Sequence, residues 1–238
     1  MCALKSNCWL FAGPTLNGAN TLAYAAGVKV VAPVKRGDVE RLVLTRRPGV
    51  IAIADGQFHQ CLSVGHAEIR SAINNGWQVW GLSSMGAIRA CEMRHLGMYG
   101  YGKVYEWFCR DENFRDDEVA LVHAPESPFL PLSEPLIHIR LWLQELMNLH
   151  VIDSSQKARI IKQLMGIWFG ERTLPHVRET LLNEVPNRAK EIGRSLENFD
   201  RFRVKSHDLS AFLCEKPWLL SDTERTQRTG VLKHSRKV

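Results

Sequence analysis

Val79-Trp80-Gly81-Leu82-Ser83-Ser84-Met85-Gly86-Ala87-Ile88-Arg89-Ala90 passes from an apolar run, through two serines and a glycine, into helix-forming residues. That order predicts a strand, a tight turn and a helix. The first N–H groups of a helix have no partner within it, so they face whatever the serine hydroxyls touch. Such a junction suits an anion or a developing oxyanion.

Short apolar runs alternate with helical patterns on either side of this stretch. The expected fold is α/β: an open, mostly parallel sheet flanked by helices, with a C-terminal all-helical appendage. Upstream, Trp9-Leu10-Phe11 leads into Ala12-Gly13-Pro14-Thr15, and residues 28–31 form a second short strand. Asp38 caps an amphipathic helix that places Val39, Leu42 and Val43 on one face. Val50-Ile51-Ala52-Ile53-Ala54 reads as a buried strand ending in Asp55-Gly56-Gln57-Phe58. A helix bearing His66, Glu68, Ile69 and Ile73 follows, until Asn74-Asn75-Gly76 stops it. Downstream, residues 97–102 with Gly97, Gly100 and Gly102 read as a turn, and Val119-Ala120-Leu121-Val122-His123 as one more strand. Ligands of open parallel sheets bind at the carboxyl ends of strands. Gly13-Pro14-Thr15, Asp55 and Ser83-Ser84 all fall at such ends.

From Leu132 only helical patterns remain. Leu136, Ile139, Arg140, Leu143 and Leu146-Met147 follow helical spacing, as do Ile160-Ile161, Leu164 and Ile167-Trp168, and Pro175 and Pro186 separate later segments. The expected organisation is an α/β core over residues 1–131, a helical subdomain over 132–220 and a basic, disordered tail over 221–238.

With 238 residues and 45% hydrophobic content the chain can bury a substantial core. It has no apolar run of roughly 18 residues and no convincing signal peptide, so a cytoplasmic protein without a membrane partner is expected. The six cysteines include no CxxC pair, which argues against a zinc knuckle or that dithiol motif. The net charge of +6 owes much to Arg225, Arg228, Lys233, Arg236 and Lys237 near the end, and does not point to nucleic acid. Neither Gly-x-x-x-x-Gly-Lys nor Gly-x-Gly-x-x-Gly follows a strand, so no nucleotide cofactor is indicated. Asp116-Asp117-Glu118 is either a solvated turn or a Mg²⁺ site, and no metal is assigned.

Ser84 half fits a strained nucleophile elbow, with Gly86 two residues after it but Leu82 two before; Ser83 has Gly81 before it but Met85 after. Alternatively, either serine caps the helix. A nucleophile needs a base, for which His66, His59, His95 and His123 are candidates, none fixed by spacing. Asp55 can orient that base, bind a ligand or cap a loop. Arg89 either faces an anionic substrate or pairs with Glu92 or Glu68.

Taken in order, Gly13-Pro14-Thr15, Arg36-Gly37-Asp38, Ile53-Ala54-Asp55-Gly56-Gln57-Phe58, His66-Ala67-Glu68-Ile69, Ser83-Ser84-Met85-Gly86-Ala87-Ile88-Arg89-Ala90, Gly97-Met98, Gly102 and Asp116-Asp117-Glu118-Val119-Ala120 resemble the TfuA-like family. Gly170-Glu171-Arg172-Thr173 extends the resemblance loosely. In that family His66-Ala67-Glu68 commonly has lysine in place of alanine. The resemblance implies a partner of a YcaO-type enzyme, which activates a peptide amide with ATP so that sulfur replaces its oxygen. Ribosomal peptide natural products such as trifolitoxin belong to this context. The TfuA-like protein would hydrolyse the thiocarboxylate of a ubiquitin-like sulfur-carrier protein and deliver sulfide, the modified molecule being a precursor peptide or protein. No cofactor of its own is expected. On this basis Ser84, Ser83, Asp55 and His66 are the catalytic candidates, and Gly13, Pro14, Thr15, Met85, Gly86, Arg89 and Arg36 the substrate-binding ones. A non-catalytic adaptor for YcaO or its peptide, and a small-molecule serine hydrolase, are the alternatives.

Overall fold

The computed structural model describes residues 7–16, 19–57, 61–221 and 223–224. Five strands, β1 (Cys8–Phe11), β2 (Lys29–Val31), β3 (Val50–Ile53), β4 (Gln78–Leu82) and β5 (Tyr99–Tyr101), form one sheet in the order β2-β1-β3-β4-β5. Every pairing is parallel, and Phe11, Ile53 and Gly81 lie side by side near the carboxyl edge. Strand order reverses between β1 and β3. In doubly wound sheets that reversal opens a crevice outside the strand ends, where ligands bind.

The helices are α1 (Asn20–Ala25), α2 (Asp38–Thr45), α3 (His66–Asn74), α4 (Met85–Met93), α5 (Lys103–Arg110), α6 (Leu136–Asn148), α7 (Ser154–Met165), α8 (Leu174–Glu184), α9 (Ala189–Leu196) and α10 (Val204–Glu215). The chain divides into two compact units: the first runs to Phe114 and resumes at Lys205, and the second is Arg115–Val204. The divisions thus fall at 114/115 and 204/205, where the sequence pattern suggested 131/132 and 220/221. Of the expected tail, only Ser221, Thr223 and Glu224 are described, so its disorder lies outside the described residues.

In the first unit, side chains alternate across the pleat. Leu10, Ala52, Ala54, Trp80, Leu82 and Tyr99 form one face, and Ala19, Ala23 and Ala26 around α1 cover it together with Leu209, Phe212 and Leu213 of α10 and Trp218. The i, i+3, i+4 spacing of the three α10 residues explains why that helix lies flat on the sheet. Burying a side chain such as Phe212 stabilises by roughly 1.5–3 kcal/mol. Ile51, Ile53 and Val79 are buried on the opposite side, where α3 and α4 pack on the central strands.

Two expectations about strands are corrected. Residues 119–123 form no strand: Asp116–Glu118 is a 3-10 turn, and His123 joins Pro131 in an isolated antiparallel bridge. The fifth strand is Tyr99–Tyr101, within the stretch expected to turn. Gly100 is there for a close approach, because a Cβ on it would lie 2.1 Å from the Tyr105 ring.

In the second unit α6 to α9 enclose Trp142, Leu143, Leu146, Ile160, Leu164, Val177, Leu181 and Ile192. The Trp142 indole N–H donates to Ser195 Oγ at 2.9 Å, so the largest core ring keeps its polar atom satisfied. Buried Arg172 donates to Leu164 O at 2.9 Å and to Asp117 Oδ2 at 2.7 Å, while Arg140 grips Glu118. The acidic run is therefore tied to arginines. Buried Glu134 meets His138 Nδ1 at 2.9 Å and also Arg203. Burial works against its charge, but His138 and Arg203 together hold its carboxyl below the usual range. Among the described residues, no helix is long and apolar enough to cross a membrane.

Candidate functional site

The turn after β4 is bent at Ser83. Its φ is +63°, and the Ser84 N–H donates to Leu82 O at 2.7 Å, closing a three-residue turn around a left-handed serine. Such a turn is strained, at a cost on the order of 1–3 kcal/mol, and persists only where its surroundings dictate it. Two glycines dictate this one. A Cβ on Gly86 would lie 1.7 Å from Ile53 O, and one on Gly81 would lie 2.0 Å from Gly86 O. α4 therefore meets β3 and β4 backbone to backbone. The elbow centres on Ser83, with its glycines two residues before and three after, and not on Ser84. Met85, buried beneath the turn, packs so close to Gly56 that a Cβ there would be 2.7 Å from Met85 Cγ.

Side-chain capping by these serines is not what the structure shows. Ser84 occupies the N-cap position, and its carbonyl accepts from Ala87 N–H at 2.9 Å, but its side chain takes no capping bond. The Ser83 hydroxyl instead donates to Lys205 O at 2.8 Å.

Asp55 stands at the end of β3, beside the β1 loop. Its Oδ2 accepts from the Gly13 N–H at 2.8 Å and the Thr15 N–H at 2.9 Å, and its Oδ1 accepts from Thr15 Oγ1 at 2.5 Å. Three donors of one loop thus converge on one carboxyl group across the β1/β3 switch point. Pro14, buried between them, begins the 3-10 turn Pro14–Leu16, with its φ already set for that turn. The Ser206 hydroxyl closes the ring from α10 by donating to Thr15 O at 3.0 Å. Ser83, Ser84, Asp55, Thr15 and Lys205 are each 2% exposed or less.

Lys205 and Ser206 are the members that sequence reasoning missed. Lys205 has one of the largest fully buried side chains of the protein. Nothing local marks a lysine for burial; the one available signal was the spacing of Leu209, Phe212 and Leu213, which assigns this helix an apolar face.

Neither His66 nor His95, the described histidine candidates of the first unit, bonds to the turn. His66 begins α3 with its side chain 56% exposed, its Nε2 2.8 Å from Glu92 Oε2. Glu92 also pairs with Arg89 at 2.7 Å, and Arg89 Nε donates to Val64 O at 3.1 Å. His95 is exposed, His123 belongs to the second unit, and His59 lies outside the described residues, as does Phe58. Arg36 is exposed and donates to Ser63 O at 3.3 Å. The Arg36-Gly37-Asp38 and His66-Ala67-Glu68 segments are joined through one carboxylate. Glu68 accepts from Gly65 N–H at 2.8 Å and Gly37 N–H at 3.0 Å, bracing the starts of α3 and α2. Among the described residues no group of three or more His, Cys, Asp or Glu is arranged to hold a metal ion.

The arrangement offers a strained hydroxyl turn held by the Lys205 carbonyl, a helix N-terminus and a carboxyl group fixed by a loop, all at the carboxyl edge of the sheet. Residues 55–173, half of the chain, match the family model described as TfuA-like protein. No curated protein matches the chain.

Proposed function

We propose, for a chain that belongs to the TfuA-like protein family, that it serves a YcaO-type enzyme in peptide-backbone thioamidation by hydrolysing a thiocarboxylated sulfur-carrier protein. Thiocarboxylate and water give carboxylate and hydrogen sulfide, which passes to the partner. The observation that carries this reading is the positive-φ turn at Ser83, which sets α4 with its N-terminus beside the β1/β3 switch point. Attack on the thiocarboxyl carbon builds negative charge on oxygen and sulfur. The Gly86 N–H already donates to Ala54 O and the Ala87 and Ile88 N–H groups to Ser84 O, so the start of α4 acts on that charge through the helix dipole. Buried Lys205 joins the turn through its carbonyl, which fixes the Ser83 hydroxyl. Ser84 positions the thiocarboxylate or attacks it, Asp55 fixes the Gly13-Pro14-Thr15 rim, and sulfide leaves readily.

The burial of both serines supports a second reading, a non-catalytic adaptor that docks YcaO or its peptide. One experiment separates the two. Purified protein is given a thiocarboxylated ubiquitin-like carrier, and sulfide is measured. Release that falls at least about 10²-fold in Ser84→Ala, with the melting temperature preserved, supports hydrolysis. Absence of release alongside retained YcaO binding supports the adaptor.

A further inference from the structure

The face of the first unit between β2 and α2 carries a groove that the Ser83-Ser84 turn does not use. Trp9 and Phe11, alternate residues of β1, lie on the same side of the sheet, and Val31 of β2 is paired with Phe11. Arg41, Leu42 and Thr45 of α2 line the other wall of a hollow of ≈ 520 Å³. Lys35 and Arg46, just outside the two ends of α2, line it as well.

The floor is apolar and the ends are cationic. Lys29 Nζ lies 4.6 Å and Arg46 Cζ 5.5 Å from the centroid of the Trp9 ring, so the indole holds both cations in place. Arg41 is already paired with Asp38, but no described carboxylate forms an ion pair with Lys29, Lys35 or Arg46. Residues 1–6, 17–18, 58–60, 222 and 225–238, outside the described ones, include a single acid, Asp222, so they contain no acidic stretch to meet these cations. The complement must come from another molecule.

β2 is also the last strand of the sheet. The Val31 carbonyl accepts from the Ala12 N–H at 3.0 Å and so faces β1. Main-chain groups point to alternate sides along a strand, which turns the Val30 N–H and C=O toward the edge, and Val30 is 41% exposed. The length of the groove decides between occupants. α2 has eight residues and is about 12 Å long, which sets Lys35 and Arg46 at opposite ends. A compact anion meets one end. In an extended chain, side chains four positions apart face the same way about 13 Å from each other, with a third between them.

We propose that this groove binds an extended acidic segment of a partner protein, paired with the free edge of β2, its carboxylates at the Lys35 and Arg46 ends and an apolar side chain between them over Trp9 and Phe11. This inference does not depend on the thiocarboxylate reading.

A fluorescein-labelled peptide, Glu-Thr-Leu-Thr-Glu, titrated with the full-length protein and followed by fluorescence anisotropy, tests it. Saturable binding is expected, about tenfold tighter than that of Gln-Thr-Leu-Thr-Gln and weakening as salt is raised. Lys35→Glu and Arg46→Glu, both at exposed positions, are each expected to weaken it about tenfold with the melting temperature unchanged. Val30→Pro removes the outward donor and no bond within the sheet, and is expected to weaken binding to a similar extent. Absence of binding, equal binding of the glutamine peptide, displacement by inorganic tripolyphosphate as effective as by unlabelled peptide, or indifference to the two charge reversals overturns the proposal.

Discussion

Thr15 and Asp55 hold each other through two bonds: the Thr15 hydroxyl donates to Oδ1 at 2.5 Å and the Thr15 N–H donates to Oδ2 at 2.9 Å. This closed pair ties the loop after β1 to the end of β3, across the point where the strand order reverses. Asp55→Asn keeps the shape but turns an NH₂ group toward a donor. It should destabilise the protein by about 1–3 kcal/mol, and Thr15→Val by about 1–2 kcal/mol. Urea denaturation of the two single variants and the double variant measures both costs and their coupling, which should be strongly non-additive.

At Ser83 the usual order of alanine and glycine should be inverted. A left-handed φ costs alanine about 1 kcal/mol and glycine almost nothing, so Ser83→Gly should be more stable than Ser83→Ala by roughly that amount. Both lose the hydroxyl bond to Lys205 O. Gly86→Ala should be far worse, by about 3 kcal/mol or more, because its Cβ collides with the Ile53 carbonyl. Denaturation midpoints of the three variants check this ranking.

Lys205→Met replaces a buried polar side chain with an apolar one of similar length. Its loss leaves buried groups unsatisfied, so stability should fall by about 1–3 kcal/mol. Sulfide release from a thiocarboxylated carrier should persist in the folded variant, because the carbonyl that fixes the Ser83 hydroxyl is kept. A folded variant that loses release would bring the Lys205 side chain into the chemistry.

His66→Ala should change neither stability nor sulfide release measurably. Its partner Glu92 is itself 41% exposed along the side chain, and exposed pairs contribute about 0–1 kcal/mol. A large loss of release in this variant would restore His66 as the base.

Asp208 should give the first unit a measurable pH dependence. Its carboxyl accepts from the Lys103 and Val104 N–H groups at 3.0 and 2.9 Å, capping α5, while burial outweighs them and pushes it up to about 6, from an ordinary value of 3.8. The folded state then binds the proton more tightly than the unfolded state. The contribution is fully present below about 3.8 and lost as pH rises through about 6. Denaturation curves between these limits should show wild type losing stability relative to Asp208→Asn as pH rises, with no further divergence above the window.

Most of the sheet was legible because its strands carry periodic apolar signals and end at recognisable turns: Leu10, Ile51 and Val79 read correctly from sequence. Gly100 misled, since a glycine that admits a ring looks, in sequence, like a glycine that makes a turn. Residues 119–123 have a strand's composition but lie in the second unit, with the preceding carboxylates held by Arg172 and Arg140. At the site, Ser83-Ser84, Asp55 and Gly13-Pro14-Thr15 were visible because strand ends converge. Lys205 was not, because its burial follows from a helix returning to the sheet after the whole second unit has intervened, a relationship no local pattern encodes.

That return constrains synthesis. The face of Leu10, Ala52, Trp80 and Leu82 is completed by Leu209, Phe212, Leu213 and Trp218. A nascent chain emerges at roughly 5–20 residues per second, so β1 to β5 wait for α10 while the intervening unit already has its own core. During that interval Trp80 and its neighbours present an uncovered apolar surface to water or to a chaperone. Truncating the chain before α10 should accordingly yield aggregation and not a smaller folded protein.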